Sequence, residues 1–256
     1  MAIDKISGVS FSGIDAFSDV ASSSIEKISG IAASSAPDIV QANLVNRYRP
    51  ANYSGTGNLL DEIGSQDITI SGATYNSSTP AHFDFDGVND YGASSTASWS
   101  PTDISMGFWL NQDTVSGIQV PAGFYGGSGT QGFFPYTFST LNVARLIWTN
   151  NSNQATQTNW GTTSGYPTNE WMYFGISRNN STRRVNMYLG RSTGLTQVVT
   201  NLFVSTAGTF SASSIIYGSI DYDFNGSLGE LHHYDSELSS TDWTQNFNNT
   251  KAYYGL

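Results

Sequence analysis

The stretch Asp221-Tyr222-Asp223-Phe224-Asn225-Gly226 places oxygen donors at alternate positions ahead of a glycine, which is how a calcium loop opens. Such a loop closes on a bidentate Glu at its twelfth position. Here that position is His232, and Glu230 falls two residues short. Asp, Asn and Gly also suit a turn between strands for backbone reasons alone, so the segment reads first as a turn, with a Ca2+ site on Asp221, Asp223 or Asn225 left open. His232 and His233 are neighbours, and neighbouring side chains on a strand point to opposite faces. They cannot chelate one metal together, and one is expected at the surface with the other packed. His82 has no His or carboxylate at metal-like spacing. Glu230 stands alone in Gly229-Glu230-Leu231-His232 and is expected as a strand-edge residue paired with an Arg or Lys. No Gly-x-Ser-x-Gly elbow, P-loop or dinucleotide fingerprint is present. Gly123-Phe124-Tyr125-Gly126-Gly127-Ser128-Gly129 is glycine-rich without a Lys and reads as a loop.

That segment and Gly132-Phe133-Phe134-Pro135-Tyr136 leave three roles open for Phe124, Tyr125, Phe133, Phe134 and Tyr136. Exposed aromatics set among Gly and Asn can stack on sugars, can form a protein interface, or can simply pack a core.

Composition narrows the classes. Charged residues make up 12% of the 256, about half the globular average of roughly 25%, while aromatics reach 13%, which favours a β protein with polar turns over disorder. The net charge of −10, with 10 Lys+Arg against 20 Asp+Glu and no basic cluster, argues against nucleic acid as a partner. There is no cysteine, hence no disulfide framework and no thiolate metal site. No stretch approaches the ~18 apolar residues of a membrane span, and Met1-Ala2-Ile3-Asp4-Lys5 opens no apolar run of signal-peptide length. Assembly in a cytoplasm without membrane insertion is the expectation.

The elements that must position these residues are short alternating segments bounded by Gly, Asn, Ser or Pro, as in a sandwich. Candidates are 44–49, 67–75, 81–86, 104–111, 132–139, 143–149, 171–178, 183–190, 197–204, 214–220 and 226–234. Trp171-Met172-Tyr173-Phe174-Gly175-Ile176 is apolar on both faces, the mark of a central strand covered on its outer side. Ser239-Ser240-Thr241-Asp242 has capping-box form ahead of Trp243 and Phe247, so a short helix is expected there, sealing one end of the core.

His82-Phe83-Asp84-Phe85-Asp86-Gly87-Val88-Asn89-Asp90-Tyr91 and Gly226-Ser227-Leu228-Gly229-Glu230-Leu231-His232-His233-Tyr234, continuing to Ser239, resemble the opening and closing strands of the laminin-G-like, concanavalin A-type lectin jelly roll. The resemblance implies an all-β jelly-roll sandwich at 41–256 and a binding or structural module. Glycoside hydrolases on that jelly roll present their carboxylates as E-x-D-x-E on one strand. No such run exists in this chain, so no catalytic residue is assigned.

Residues 1–40 differ from the rest. Ile3-Asp4-Lys5-Ile6-Ser7-Gly8-Val9 recurs as Ile25-Glu26-Lys27-Ile28-Ser29-Gly30-Ile31, and between the copies apolar residues fall every third position at Phe11, Ile14, Phe17 and Val20. This reads as an extended docking arm, with short helical turns beginning at Ser12 or Ser18, whose Ile3, Ile6, Phe11, Ile14, Phe17, Ile25 and Ile28 are covered by other chains. Tandem segments of this kind ahead of a lectin-like jelly roll resemble those of tailed-phage virion structural proteins. That resemblance implies a capsid decoration, fibre or appendage subunit, assembled in a host bacterial cytoplasm onto capsid, portal, neck or tail proteins, with a homotrimer favoured. The alternative is a lectin module for host-surface glycans.

Overall fold

The computed structural model describes residues 5–6, 9–10, 27–28, 31–32, 38–95, 102–114, 118–125, 132–138, 143–149, 155–160, 168–203, 214–218 and 223–256. The chain divides into two units, Met1–Pro37 and Asp38–Leu256. The division falls three residues earlier than the sequence suggests. Asp38, Ile39 and Val40 belong with the sandwich because Asp38 pairs with Arg47, Ile39 is buried, and the Val40 amide donates to Asn246 Oδ1.

In the first unit, β1 (Lys5–Ile6) pairs with β2 (Val9–Ser10), and β3 (Lys27–Ile28) pairs with β4 (Ile31–Ala32), both antiparallel. The register repeats: Ile6 faces Val9 and Ile28 faces Ile31. Each copy of the repeated heptad thus makes the same small hairpin. Ile3, Phe11, Ile14, Phe17, Ile25 and the helical turns expected at Ser12 or Ser18 lie outside the described residues.

The second unit carries β5 (Leu44–Tyr48), β6 (Ile68–Ser71), β7 (Thr74–Asn76), β8 (His82–Asp86), β9 (Tyr91–Ser94), β10 (Ile104–Gln112), β11 (Ile118–Gln119), β12 (Ala122–Tyr125), β13 (Gly132–Phe138), β14 (Val143–Thr149), β15 (Ala155–Trp160), β16 (Met172–Asn179), β17 (Arg184–Arg191), β18 (Gly194–Phe203), β19 (Ser214–Tyr217) and β20 (Asn225–Tyr234). Helix α1 (Ser240–Thr250) and a 3-10 turn, Lys251–Tyr254, follow. The front sheet runs β18-β17-β16-β10-β20-β8-β7, with β5 also on β20; the back sheet runs β15-β14-β13-β12-β19-β9-β6, with β11 on β13. Every pairing is antiparallel, as a jelly-roll sandwich requires. β9, β11, β12 and β15 were not foreseen. They are short, or polar as in Ala155–Trp160, and their pairing comes from neighbours distant in sequence.

Alternation fills the space between the sheets. Met106, Phe108 and Leu110 of β10, Met172, Phe174 and Ile176 of β16, and Phe83 and Phe85 of β8 point inward against Phe124, Ile215 and Tyr217 of the back sheet. Phe108 and Phe174 face each other across the ladder with ring centroids 5.1 Å apart. Burying side chains of this size contributes roughly 1.5–3 kcal/mol each before chain entropy is subtracted. The motif Asp86-Gly87-Val88-Asn89-Asp90-Tyr91 is the corner between sheets, joining β8 in front to β9 behind. Asp86 Oδ1 accepts from the Val88 amide and Asp90 Oδ2 from the Asp86 amide, while Gly87 takes φ +72°, where a side chain would also meet Asn225.

The outer face of the front sheet is apolar too, and α1 covers it. Its capping box is formed: Ser239 Oγ accepts from the Asp242 amide and Asp242 Oδ2 from the Ser239 amide. The sequence placed this helix at one end of the core; it lies instead flat on the sheet. Trp109, Tyr173, Tyr188 and Tyr234 meet Trp243, Phe247 and Tyr254 in a second buried cluster. Glycines make the close approach possible. Gly107 and Gly175 are register partners, and a Cβ on Gly175 would stand 2.8 Å from Trp243 Cε3. Gly190 lies under Phe247 and Gly229 under Tyr254.

Candidate functional site

Two groups of polar residues sit on the outer face of the front sheet, one beneath the helix and one beside it. The first centres on Arg47 of β5 and Glu230 of β20, adjacent strands. Arg47 Nε donates to Glu230 Oε1 at 2.8 Å, and Nη1 donates to both oxygens of Asp38 at 2.8 and 3.0 Å. The Glu230 amide donates to Tyr254 Oη, and His232 Nδ1 lies 3.6 Å from Glu230 Oε1. His232 Nε2 is 2.8 Å from the Tyr173 hydroxyl. Burial pushes the Glu230 carboxyl up, but the His232 ring and the Arg47 guanidinium outweigh it and leave the carboxyl below its ordinary value. Burial lowers His232, against the pull of Glu230. A carboxyl kept ionised and enclosed in this way is structural.

Several expectations are corrected here. Glu230 does pair with an Arg, but in the middle of the sheet and buried, because β20 is flanked by β10, β8 and β5. His232 and His233 do point to opposite faces, yet both are fully buried: the helix roofs His232, and His233 enters the sandwich against Phe124, ring centroids 4.3 Å apart. Gly123, Phe124 and Tyr125 form part of strand β12 rather than a loop, and Phe124 is a core residue. Phe133, Phe134 and Tyr136 lie in β13, Phe133 in register with Phe124. Asp221 lies outside the described residues. Asn225 opens β20, its amide Nδ2 donating to the Asp86 carbonyl. Among the described residues no group of three His, Asp or Glu side chains gathers as a cation cage.

The second group is the one positioned to meet a ligand. Asn111 of β10, Ser227 of β20, Asp84 of β8 and Thr74 of β7 are successive register partners, a single row across four strands. All point outward, because Leu110, Leu228 and Phe83 beside them point into the core. Ser227 Oγ donates to Asp84 Oδ1 at 2.6 Å, and His82 Nε2 approaches the same oxygen at 3.2 Å. His82 Nδ1 donates to the Pro80 carbonyl, which fixes the ring. Asp84 Oδ2 makes no hydrogen bond among the described residues, and its side chain is 45% exposed. Asn111 Oδ1 is enclosed without a hydrogen-bond partner among them.

Trp171 completes the group. It precedes β16, three strand spacings or about 14 Å from β8 in the sheet order. Its ring nevertheless comes within 5.5 Å of His82, so the indole lies across the sheet beside the polar row. Tyr254 backs it at 4.9 Å. A half-buried indole, an unengaged carboxylate oxygen, an amide whose oxygen is enclosed and two hydroxyls, one of them bonded to that carboxylate, are thereby set along one surface. Such a set can bind a flat molecule with an apolar face and several hydroxyls. These five residues escape a linear reading. Alternation in His82-Phe83-Asp84 signals that His82 and Asp84 share a face, but only the register brings Asn111 and Ser227 to them, and only the reach of its ring brings Trp171.

No family model matches the chain, and no curated protein matches it. Solved structures do. The chain is similar to the binding domain of botulinum neurotoxin serotype G, at 12% identity and a TM-score of 0.63, over 83% of this chain and 51% of that one. The fold is a lectin-like β-sandwich. The ligand binding domain of botulinum neurotoxin serotype D in complex with N-acetylneuraminic acid gives 13% identity and a TM-score of 0.62, over 83% and 54% of the two chains. Trypanosoma rangeli sialidase in complex with the inhibitor DANA gives 13% and 0.59, over 84% and 35%. This chain spans about half the length of the neurotoxin domains it matches.

Proposed function

We propose that the sandwich is a non-catalytic glycan-binding module, and that it takes sugar on the outer face of the front sheet at Trp171, His82, Asp84, Asn111 and Ser227. The observation that carries this reading is the row of polar side chains, with Asp84 Oδ2 unengaged among the described residues, laid beside a half-buried indole. Sugars have one C–H face and a rim of hydroxyls, and an aromatic plane next to acceptors and donors matches both. The similar folds support sugar binding at the level of the sandwich alone, and the charged N-acetylneuraminic acid of the serotype D domain is no guide to which sugar this row takes. A binding role rather than hydrolysis is supported by Glu230, which is paired with Arg47 and covered by the helix. The test is calorimetry against glycans that score on an array. Trp171→Ala and Asp84→Asn should each weaken binding at least about tenfold, roughly 1.4 kcal/mol, with the fold unchanged by circular dichroism. Glycan binding indifferent to both substitutions would reject the site.

A second reading concerns the first unit. The repeated hairpins at 5–10 and 27–32, identical in register, support a tandem docking element that attaches the sandwich to a symmetric assembly such as a virion. Light scattering of the full chain against a chain beginning at Asp38 tests it: the full chain should be the larger oligomer, with a trimer expected, and equal masses per protomer count would reject it.

A further inference from the structure

The outer-face site, if it is the glycan site proposed above, is built for one class of sugar. We propose that its ligand is an uncharged sugar, recognised through its hydroxyl groups, and that sialylated or sulfated glycans are discriminated against. The row offers Asp84 Oδ2 as an acceptor in search of a donor, with Asp86 further along the same strand face. Asp86 is exposed and its Oδ1 already holds the corner amides. An ionised ligand carboxylate or sulfate brings acceptors only and would face these carboxylates directly. The hydroxyls of a neutral sugar can in turn donate to Asp84 and accept from the Asn111 amide two strands away.

The outward positions of the row and its neighbours are Thr74, Asn76, His82, Asp84, Asp86, Asn111, Asn225 and Ser227, none of them Lys or Arg. Of the cations whose side chains are described, Arg47 pairs with Glu230 and Asp38, Arg49 with Glu62, and Arg191, next to the Trp171 end, with Glu170. Arg178 is buried and donates to the Thr102 carbonyl, while Arg183 and Arg184 lie over Phe203. Lys251 Nζ is held by Asn248 Oδ1. Both ring nitrogens of His82 are turned to Asp84 Oδ1 and the Pro80 carbonyl, so neither is left for a ligand anion.

The experiment is an array on which each neutral oligosaccharide stands beside its sialylated and its sulfated counterpart, followed by calorimetry on the best matched pair. The full chain should bind the neutral member at least about tenfold more tightly, the effect of one like-charge contact at partly screened distance. Thr74→Lys, which sets an ammonium opposite Asp84 on the exposed edge of the row, should narrow that preference severalfold at low salt. If a charged counterpart binds as well as or better than the neutral one, and Trp171→Ala still abolishes binding, the class assignment is overturned while the site stands. If no glycan binds, or binding ignores Trp171→Ala and Asp84→Asn, the site itself is rejected and the assignment falls with it.

Discussion

Gly175→Ala tests the seat of the C-terminal helix most directly. An added methyl carbon would stand 2.8 Å from Trp243 Cε3 and 3.1 Å from Cδ2 and Cζ3, whereas carbon atoms rest at about 3.5–4.0 Å. The indole would have to retreat by about 0.7 Å or more. It has little freedom, because Nε1 donates to Ser177 Oγ at 2.7 Å and Cζ3 is packed equally closely over Gly107 on the next strand. Overpacking of this kind costs about 1–3 kcal/mol, and loss of the Trp243 hydrogen bond about 1 more. Against this, Ala gains roughly 0.5–1 kcal/mol over Gly in a strand interior. The net expectation is a loss of about 2–3 kcal/mol, read by urea unfolding of the full chain. The cycle with Trp243→Ala gives the decisive comparison. That substitution alone should cost about 3–5 kcal/mol, and in its background Gly175→Ala should cost nothing. An equal penalty in both backgrounds would refute the packing argument. Tyr254 sits between this seat and Trp171, so a displaced helix should also weaken glycan binding.

Glu230→Ala should destabilise by about 3–5 kcal/mol in the same denaturant assay, because it leaves the Arg47 guanidinium buried with only the half-exposed Asp38 beside it. Stability should also fall as pH drops below about 6.5, since His232 and His233 are buried with folded pKa values below the ordinary histidine value. The unfolded chain then binds protons that the folded one refuses, which removes up to about 1.4 kcal/mol per pH unit for each ring. His233→Phe should flatten that slope measurably between pH 6.5 and 5, and an unchanged slope would count against it.

The sequence reading succeeded where chemistry is local. Capping in Ser239-Ser240-Thr241-Asp242 announced the helix, and two apolar faces in Trp171–Ile176 announced a covered central strand. It failed where the answer depended on partners far along the chain. Nothing near His232 says that a helix starting at Ser240 folds back over it, and the glycines at 107, 175 and 190, though placed in strands, give no sign that rings pack over them. The candidate site was the least legible part. Its residues come from five segments between Thr74 and Ser227 and meet only through ladder register, with single-residue spacing giving no cue. The calcium-like Asp221–Gly226 drew attention by its local pattern, while Asn111 had none and the alternation around Asp84 gave no hint of Ser227 or Trp171 beside it.

Asp38 has a mechanical meaning. It is the first residue of the sandwich unit, and its carboxylate grips Arg47, which in turn grips Glu230. Its carbonyl receives the side-chain amides of Gln245 and Asn249 on α1. Tension arriving along the chain from residues before Asp38 is therefore handed at once to the helix and to β20, the strand with the most neighbours in its sheet. Such a pull has to shear several contacts together, whereas one entering at an edge strand would peel hydrogen bonds one at a time. If the segment before Asp38 does serve as a tether, its pull would meet the helix and β20 before any edge strand.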